Sequence, residues 1–132
     1  MSEQNVGIIN KLGEALGVGD LNAVAACFHD DVVVHVVGQG PGAGDHKGVE
    51  AFLAVVNDWF ERCRGDITFE NIFAMANGEW GAEWGRCFLT RTGKTLDTYE
   101  ATIYRFADGR IAEMWLLDEA AATDRMAPSS PE

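Results

Sequence analysis

Two carboxylates in the last third of the chain, Glu100 and Asp118, are the residues whose types and spacing most directly suggest chemistry. They lie in a stretch, 94–118, that predicts two alternating strands joined by a tight turn at Asp108-Gly109, because glycine tolerates a positive φ and aspartate bonds its own backbone. Such a hairpin would put the two carboxylates opposite each other. Neighbouring like charges raise one pKa, and one shared proton leaves an acid beside a base. The pair therefore predicts enolisation or aldol chemistry. The alternative is that a bulge or a salt bridge turns Glu100 away.

The pairing of the two strands decides which side chains share a face with the carboxylates. We expect a three-residue loop, 108–110, in which Ala107 pairs with Ile111. Residues two apart then line one face of each strand. The inward face of this hairpin, which we expect to contact a ligand, carries Thr98, Thr102, Tyr104, Phe106, Met114 and Leu116.

His35 is a third candidate for proton transfer, because its reference pKa of about 6.5 needs little adjustment. Alternation along its strand puts it on the face opposite to Val34 and Val36, so a structural role is the alternative. The histidines lack the short spacing of a metal site, and we expect no metal or other cofactor. Trp59, with Val56 on the same predicted helix, is expected to form part of a pocket wall.

The elements that must position these residues follow from local patterns. Asp20 is expected to cap a short second helix, and the loop 38–48 is too rich in glycine to predict regular structure. The predicted helices are a first one from Ser2 that ends at 17–19, a second over 21–28 and a long third over 49–64. The predicted strands are 32–37, 66–76, 79–91, 95–107 and 110–118. This order predicts an α+β fold in which helices cover one face of an antiparallel sheet.

The length of 132 residues allows one domain with a real core. We place that domain at 1–119, followed by a tail, 120–132, that we expect to be partly disordered. The net charge of −11 argues against nucleic acid and anionic membranes as partners. Without a leader-like pattern or an apolar run of about 18 residues in this sequence, we expect neither secretion nor a membrane span. The three cysteines are odd in number, so we expect reduced thiols and a cytoplasmic protein.

Several stretches resemble the nuclear transport factor 2-like superfamily, which includes ketosteroid isomerases and the SnoaL-like polyketide cyclases. The likeness is carried by GDLNAVAACFHDDVVV (19–34), by Gly48 before the long helix and by YRFADGRIAEMW (104–115). The stretches VVVHVVG and GDHKG also resemble bacterial members of the cyclase group. The resemblance implies a cone-shaped curved antiparallel sheet closed by three helices around an apolar cavity.

The resemblance also implies which candidates matter. Leu12, Val36 and Thr102 stand where a ketosteroid isomerase has its three catalytic groups, so that mechanism is absent. The same register turns Val36 inward as a ligand contact. On the neighbouring strand it turns inward Cys87 and Leu89, with Glu83 at the end of that stripe. SnoaL-like cyclases carry an acid/base aspartate late in the last strand, where this chain has Asp118.

We therefore expect a cofactor-independent cyclase or isomerase that moves a proton on a small hydrophobic carbonyl or polyketide-like substrate. Asp118 would act first, assisted by Glu100 and His35. One alternative is a non-catalytic module that binds a hydrophobic ligand or a partner, and another is an epoxide-opening hydrolase. The outer sheet face carries aromatic residues that predict a homodimer interface: Trp80, Trp84, Phe88, Tyr99, Ile103, Trp115 and Leu117.

Overall fold

The computed structural model describes residues 2–38, 42–62, 67–91 and 94–117. The helices are α1 (Ser2–Val18), α2 (Leu21–Ala26) and α3 (Val49–Arg62). The strands are β1 (Phe28–Val36), β2 (Gly44–Lys47), β3 (Ile67–Asn77), β4 (Trp80–Arg91), β5 (Lys94–Ala107) and β6 (Arg110–Leu117). The predicted tail, 120–132, lies outside the described residues, as do Cys63 and Asp118.

The six strands form one curved, open sheet in the order β2-β1-β6-β5-β4-β3. The three helices cover one of its faces, because the buried core joins α1, α2 and α3 to residues of the strands. The predicted α+β class is therefore confirmed. Four of the five strand pairs are antiparallel, as expected, and β1 with β6 is the parallel exception. These two strands are far apart in the chain, so no turn between them constrains their relative direction.

The prediction of an irregular loop over 38–48 was wrong at its C-terminal end. Residues Gly44–Lys47 form the edge strand β2 and pair antiparallel with Val33–Val36 of β1. An edge strand needs only backbone amides and carbonyls on one side, so poor β-propensity did not prevent it. Strand β1 also begins at Phe28 rather than Val32, and it includes the Asp30-Asp31 pair.

The hairpin of β5 and β6 has the predicted pairs Thr102 with Leu116 and Tyr104 with Met114. The predicted three-residue loop was wrong, because Ala107 pairs with Arg110 across a two-residue turn. Both turn residues have positive φ, 53° at Asp108 and 78° at Gly109, which suits a hairpin turn that follows the twist of the strands. A register shift next to Arg105 then restores the predicted pairing.

Helix α1 is continuous through Gly7 and Gly13, although glycine is unfavourable inside a helix. Its buried residues Ile9, Leu12 and Ala15 lie three residues apart, so they share one face and pack into the core. Helix α2 begins at the predicted cap, where the backbone amide of Ala23 donates to Oδ1 of Asp20 over 3.1 Å. This packing holds α1 and α3 above the inner sheet face and leaves a cavity between them.

Candidate functional site

A cavity lies between the helices and the inner faces of β3 to β6. Its volume, counted out to the open mouth, is about 600 Å³. The helices contribute an apolar wall, and the longest side chains in it are Leu12, Leu16, Phe52, Trp59 and Phe60. Such a narrow, largely apolar cavity suits a flat or slender hydrophobic ligand.

The sheet side of the cavity mixes polar and apolar residues. Its polar members are Glu70 on β3, Glu83 on β4 and Glu100 and Thr102 on β5, and they lie beside Phe69, Tyr104, Met114 and Leu116. Glu83 pairs with Thr102, and Glu100 pairs with Gly85. Glu83 and Glu100 are therefore diagonal neighbours on one sheet face, with Cα atoms about 7–8 Å apart. Glu100 is 8% exposed. The carboxyl groups of Glu83 and Glu100 thus lie on one face of a largely apolar cavity.

Gly85 lies next to the carboxyl group of Glu83. A Cβ atom at this position would lie 3.8 Å from Oε2 of Glu83 and only 2.7 Å from the backbone oxygen of Glu70. The Glu83 carboxyl group therefore lies over the backbone of the residue that pairs with Glu100. A side chain at Gly85 would strain the β3–β4 pair, because its Cβ atom would clash with the Glu70 backbone.

Burial raises the pKa of Glu83 to about 7, because the charged form loses hydration inside the apolar cavity. The Tyr104 hydroxyl donates a hydrogen bond to this carboxylate and lowers the pKa by a smaller amount. Near neutral pH, Glu83 is thus populated in both the acid and the base form. That is the property needed by a group that takes a proton from one atom and returns it to another.

Some of the predicted ligand contacts line the cavity, and others do not. Thr98 is not part of the cavity wall; it is half-buried, and its hydroxyl donates to the backbone oxygen of Tyr99 over 3.4 Å. Val36, Cys87 and Phe106 are buried, outside the cavity wall formed by the described residues. The predicted residues that do line the cavity are Val56, Trp59, Glu100, Thr102, Tyr104, Met114 and Leu116.

Of the predicted site residues, Asp118 lies outside the described part of the chain, and Leu89 is described in its backbone alone. Asp118 follows the last described residue of β6, so its predicted pairing with Glu100 stays a prediction. The backbone of Leu89 pairs with that of Ile67, whereas its side chain is not among those described.

His35 does not face the cavity, which corrects its predicted role in proton transfer there. Its neighbours Val34 and Val36 are buried in the core, so alternation turns His35 to the opposite sheet face. Its Nδ1 lies 2.8 Å from Oδ1 of Asp45, and its Nε2 lies 2.6 Å from Oε2 of Glu113. Desolvation lowers the pKa of His35, but both carboxylates raise it, and the net shift is upward.

His35, Asp45 and Glu113 form a hydrogen-bonded network on the sheet face opposite to the cavity. Its ring stacks on Trp115 with centroids 5.1 Å apart. Glu113 also accepts a hydrogen bond from Nε of Arg105 over 3.2 Å. The hydrogen bond from His35 is the main reason that the pKa of Glu113 is lowered. The network therefore ties the β2–β1 edge to β6 and β5.

Glu83 is the residue whose role sequence reasoning missed. The inward stripe of β4 was predicted, with Glu83 at its end, but no chemistry was assigned to it. The signal was present, because Glu83, Gly85 and Cys87 alternate on a face that is otherwise apolar. Burying a charged side chain on the inner face of a strand costs free energy unless a partner compensates for the lost hydration. A glutamate at such a position is therefore a candidate functional residue.

The opposite sheet face exposes aromatic side chains, as the sequence predicted. Trp80 is 48% exposed and Tyr99 is 50% exposed. Trp84 stacks on Tyr99 with ring centroids 5.4 Å apart, and Trp80 contacts Trp115 at 5.8 Å. The predicted partner for this face, a second copy of the chain, stays a prediction.

Neither a metal site nor a membrane span is found in the parts of the chain that the structure describes. No three His, Cys, Asp or Glu side chains among those residues come together in a way that could hold a metal ion. None of the described helices is long and apolar enough to cross a membrane.

Comparison with known proteins bears on the family and the fold. A family model described as a SnoaL-like domain matches residues 9–114. Rv0034, an uncharacterised protein of Mycobacterium tuberculosis, is 29% identical over 114 residues, which cover 85% of this chain and 86% of that protein. Bal32a, from a soil-derived mobile gene cassette, superposes with a TM-score of 0.86 at 23% identity, covering 96% and 98% of the two chains. IdmH, a candidate polyketide cyclase of Streptomyces antibioticus, gives 0.76 at 20% identity, covering 91% and 95%.

Proposed function

Because the chain belongs to the family of SnoaL-like domains, we propose that it is a cofactor-independent cyclase or isomerase. It moves a proton on a small hydrophobic carbonyl or polyketide-like compound bound in the cavity. The observation that carries this proposal is the carboxyl group of Glu83, whose pKa is raised to about 7 inside an apolar cavity. A group with that pKa serves as base and as acid at neutral pH.

The reaction begins with the ligand's carbonyl group at the polar end of the cavity. Glu83, as carboxylate, takes a proton from the carbon next to the carbonyl, and electrons move into the carbonyl oxygen to give an enolate. The Thr102 hydroxyl, buried in the same wall, donates a hydrogen bond to that oxygen. The enolate then attacks a second carbonyl carbon, which closes a ring. In a substrate with a C=C bond next to the α-carbon, the enolate is a dienolate and takes the proton back from Glu83 at the γ-carbon, which moves the double bond and isomerises the compound.

Glu100 and Asp118 complete this proposal. Glu100 lies on the inner face beside Glu83, so its carboxyl group accepts or supplies the second proton that an aldol closure requires. Asp118, which lies outside the described residues, keeps its predicted acid/base role. Glu83 and Asp118 are then competing candidates for the first proton transfer. Replacing each one in turn by its amide shows which of them carries it.

Exchange of hydrogen for deuterium tests the proposal without knowledge of the natural substrate. A hydrophobic ketone such as 4-phenyl-2-butanone is incubated with the protein in D₂O, and loss of its α-proton signal is followed by NMR. We expect the exchange rate to rise through a pH of about 7, as Glu83 ionises. Glu83→Gln is expected to lower it by roughly 10²–10⁴-fold, the usual contribution of a general base.

Matched variants make the exchange assay decisive. Glu113→Gln changes the same residue type on the opposite sheet face and is expected to leave the rate unchanged. Exchange by Glu83→Gln at the wild-type rate would remove Glu83 from the mechanism. If Asp118→Asn alone abolishes exchange, the first proton transfer belongs to Asp118.

A second candidate function is binding without catalysis. The observation that favours it is the largely apolar lining of the cavity, with Phe52, Trp59 and Phe60 in its wall. Such a wall holds a hydrophobic ligand by burial alone, without any chemical step. Saturable binding of the ketone with no α-proton exchange at any pH would support this function over the catalytic one.

A further inference from the structure

Gly13 is the glycine of helix α1 that lines the cavity, and like Gly7 and Gly17 in the same helix it is not required by packing. It lies inside helix α1, where glycine is less favourable than alanine. A Cβ atom at Gly13 would meet no atom of the described residues within 4 Å. At Gly81, by contrast, a Cβ atom would lie 2.8 Å from the ring of Phe106, so the core itself requires glycine there.

The open space beside Gly13 belongs to the cavity, since Gly13 is part of its wall. Leu16 is three residues later and lies on the same helix face. Leu16 and Phe60 line both the cavity and a second, more open cleft that continues outward along Gly17, Gly19 and Asn57. Gly13 is therefore next to the point at which the cavity meets the surface.

We propose that the bare backbone of Gly13 is a contact surface for the ligand and sets the size of ligand that the cavity accepts. The proposal rests on the proposed function, because it assumes that the reacting carbonyl lies at the Glu83 end. The rest of the ligand then extends away from the sheet and lies flat against α1 at Gly13, with Leu16 and Phe60 at its far end.

From this placement of the ligand we infer the class of substrate. The ligand is an elongated, flat, hydrophobic carbonyl compound, with a fused or extended ring system rather than one small ring. A short ligand reaches only the polar end and does not touch Gly13. A long ligand needs the space that any side chain at this position would fill.

Two aromatic methyl ketones of different length test the inference. Acetophenone has one ring, and 2-acetylnaphthalene has two. NMR titration gives the affinity of each ketone for the wild type and for the variants Gly13→Ala and Gly13→Leu. Gly7→Ala is the matched control, because Gly7 lies in the same helix, has equally open space at its Cβ position and is outside the cavity wall.

We expect Gly13→Leu to weaken binding of 2-acetylnaphthalene by about tenfold or more, because overfilling a packed site is costly. Acetophenone should bind within about twofold of its wild-type affinity, which also shows that the variant is folded. Gly13→Ala should have a smaller effect of the same kind. Gly7→Ala should bind both ketones as the wild type does.

Other outcomes overturn the inference in distinguishable ways. If Gly13→Leu binds both ketones normally, or weakens both equally, Gly13 does not set ligand size. If Glu83→Gln loses exchange while the Gly13 variants discriminate nothing, the proposed function stands and this inference fails. If the wild type binds neither ketone, the carbonyl site and the role of Gly13 both fail.

Discussion

The raised pKa of Glu83 predicts an unusual dependence of stability on pH, which Glu83→Gln should remove. Folding raises this pKa from 4.5 to about 7. The folded state therefore holds a proton that the unfolded state releases between those two pH values. The resulting stabilisation is fully present below pH 4.5, decreases as the pH rises through this window, and is gone above about 7.

The magnitude follows from the size of the shift. A change of about 2.5 pKa units corresponds to roughly 3 kcal/mol at 1.36 kcal/mol per unit, so the wild type should lose about that much stability between pH 4.5 and 7 through this one group. Glutamine is neutral at every pH, and its side-chain oxygen accepts the same hydrogen bond from Tyr104. Glu83→Gln should thus match the wild type at pH 4.5 and exceed its stability at pH 8 by up to about 3 kcal/mol.

Urea unfolding at pH 4.5, 6 and 8 measures this difference. Other acidic groups also titrate, so the comparison is between wild type and variant at each pH rather than along one curve. Glu113→Gln is the contrasting control, because the pKa of Glu113 is lowered in the folded protein and its substitution should destabilise at neutral pH. If the free-energy difference between Glu83→Gln and wild type is the same at pH 4.5 and 8, the raised pKa is refuted.

Two further predictions concern the opposite sheet face. The pKa of His35 is raised by folding. Its ion pairs therefore stabilise the protein fully below the unfolded pKa of about 6.5, and less as the pH rises through the folded value. The free energy of unfolding lost in His35→Ala should be larger at pH 6 than at pH 9, and an equal loss at both would contradict this. If the exposed aromatic face meets a second copy, Trp80→Glu should convert a dimer into a monomer in sedimentation velocity. Gln4→Glu on helix α1 is the control, and a wild type that sediments as a monomer would end the dimer hypothesis.

Local pattern predicted the elements because their physics is local. The Asp108-Gly109 turn depends on the backbone freedom of two residues, and the Asp20 cap depends on one side chain and one nearby amide. Alternation fixed which side chains share a face, whereas the predicted pairing of Thr102 with Leu116 is correct because the register shift next to Arg105 offsets the shorter turn. The resemblance through residues 104–115 supplied the orientation of that face toward the helices.

The candidate site was only partly predictable for the same reason. Glu100, Thr102 and Tyr104 were found because they alternate on one strand of the hairpin and line the cavity together. Glu83 was placed inward but given no role, since its importance comes from burial by helices that lie elsewhere in the sequence. His35 was included although it lies on the other face, where it bonds Asp45 and Glu113.

The sequence by itself determined the α+β class, the boundaries of most strands and the faces of the final hairpin, because propensity, alternation and turn chemistry act between near neighbours. Only the tertiary structure decided the parallel pairing of β1 with β6, the edge strand at 44–47 and the open space at Gly13. It also decided the acid/base character of Glu83. A carboxyl pKa depends on how much water the surrounding fold removes, and that is fixed by contacts between segments far apart in the chain.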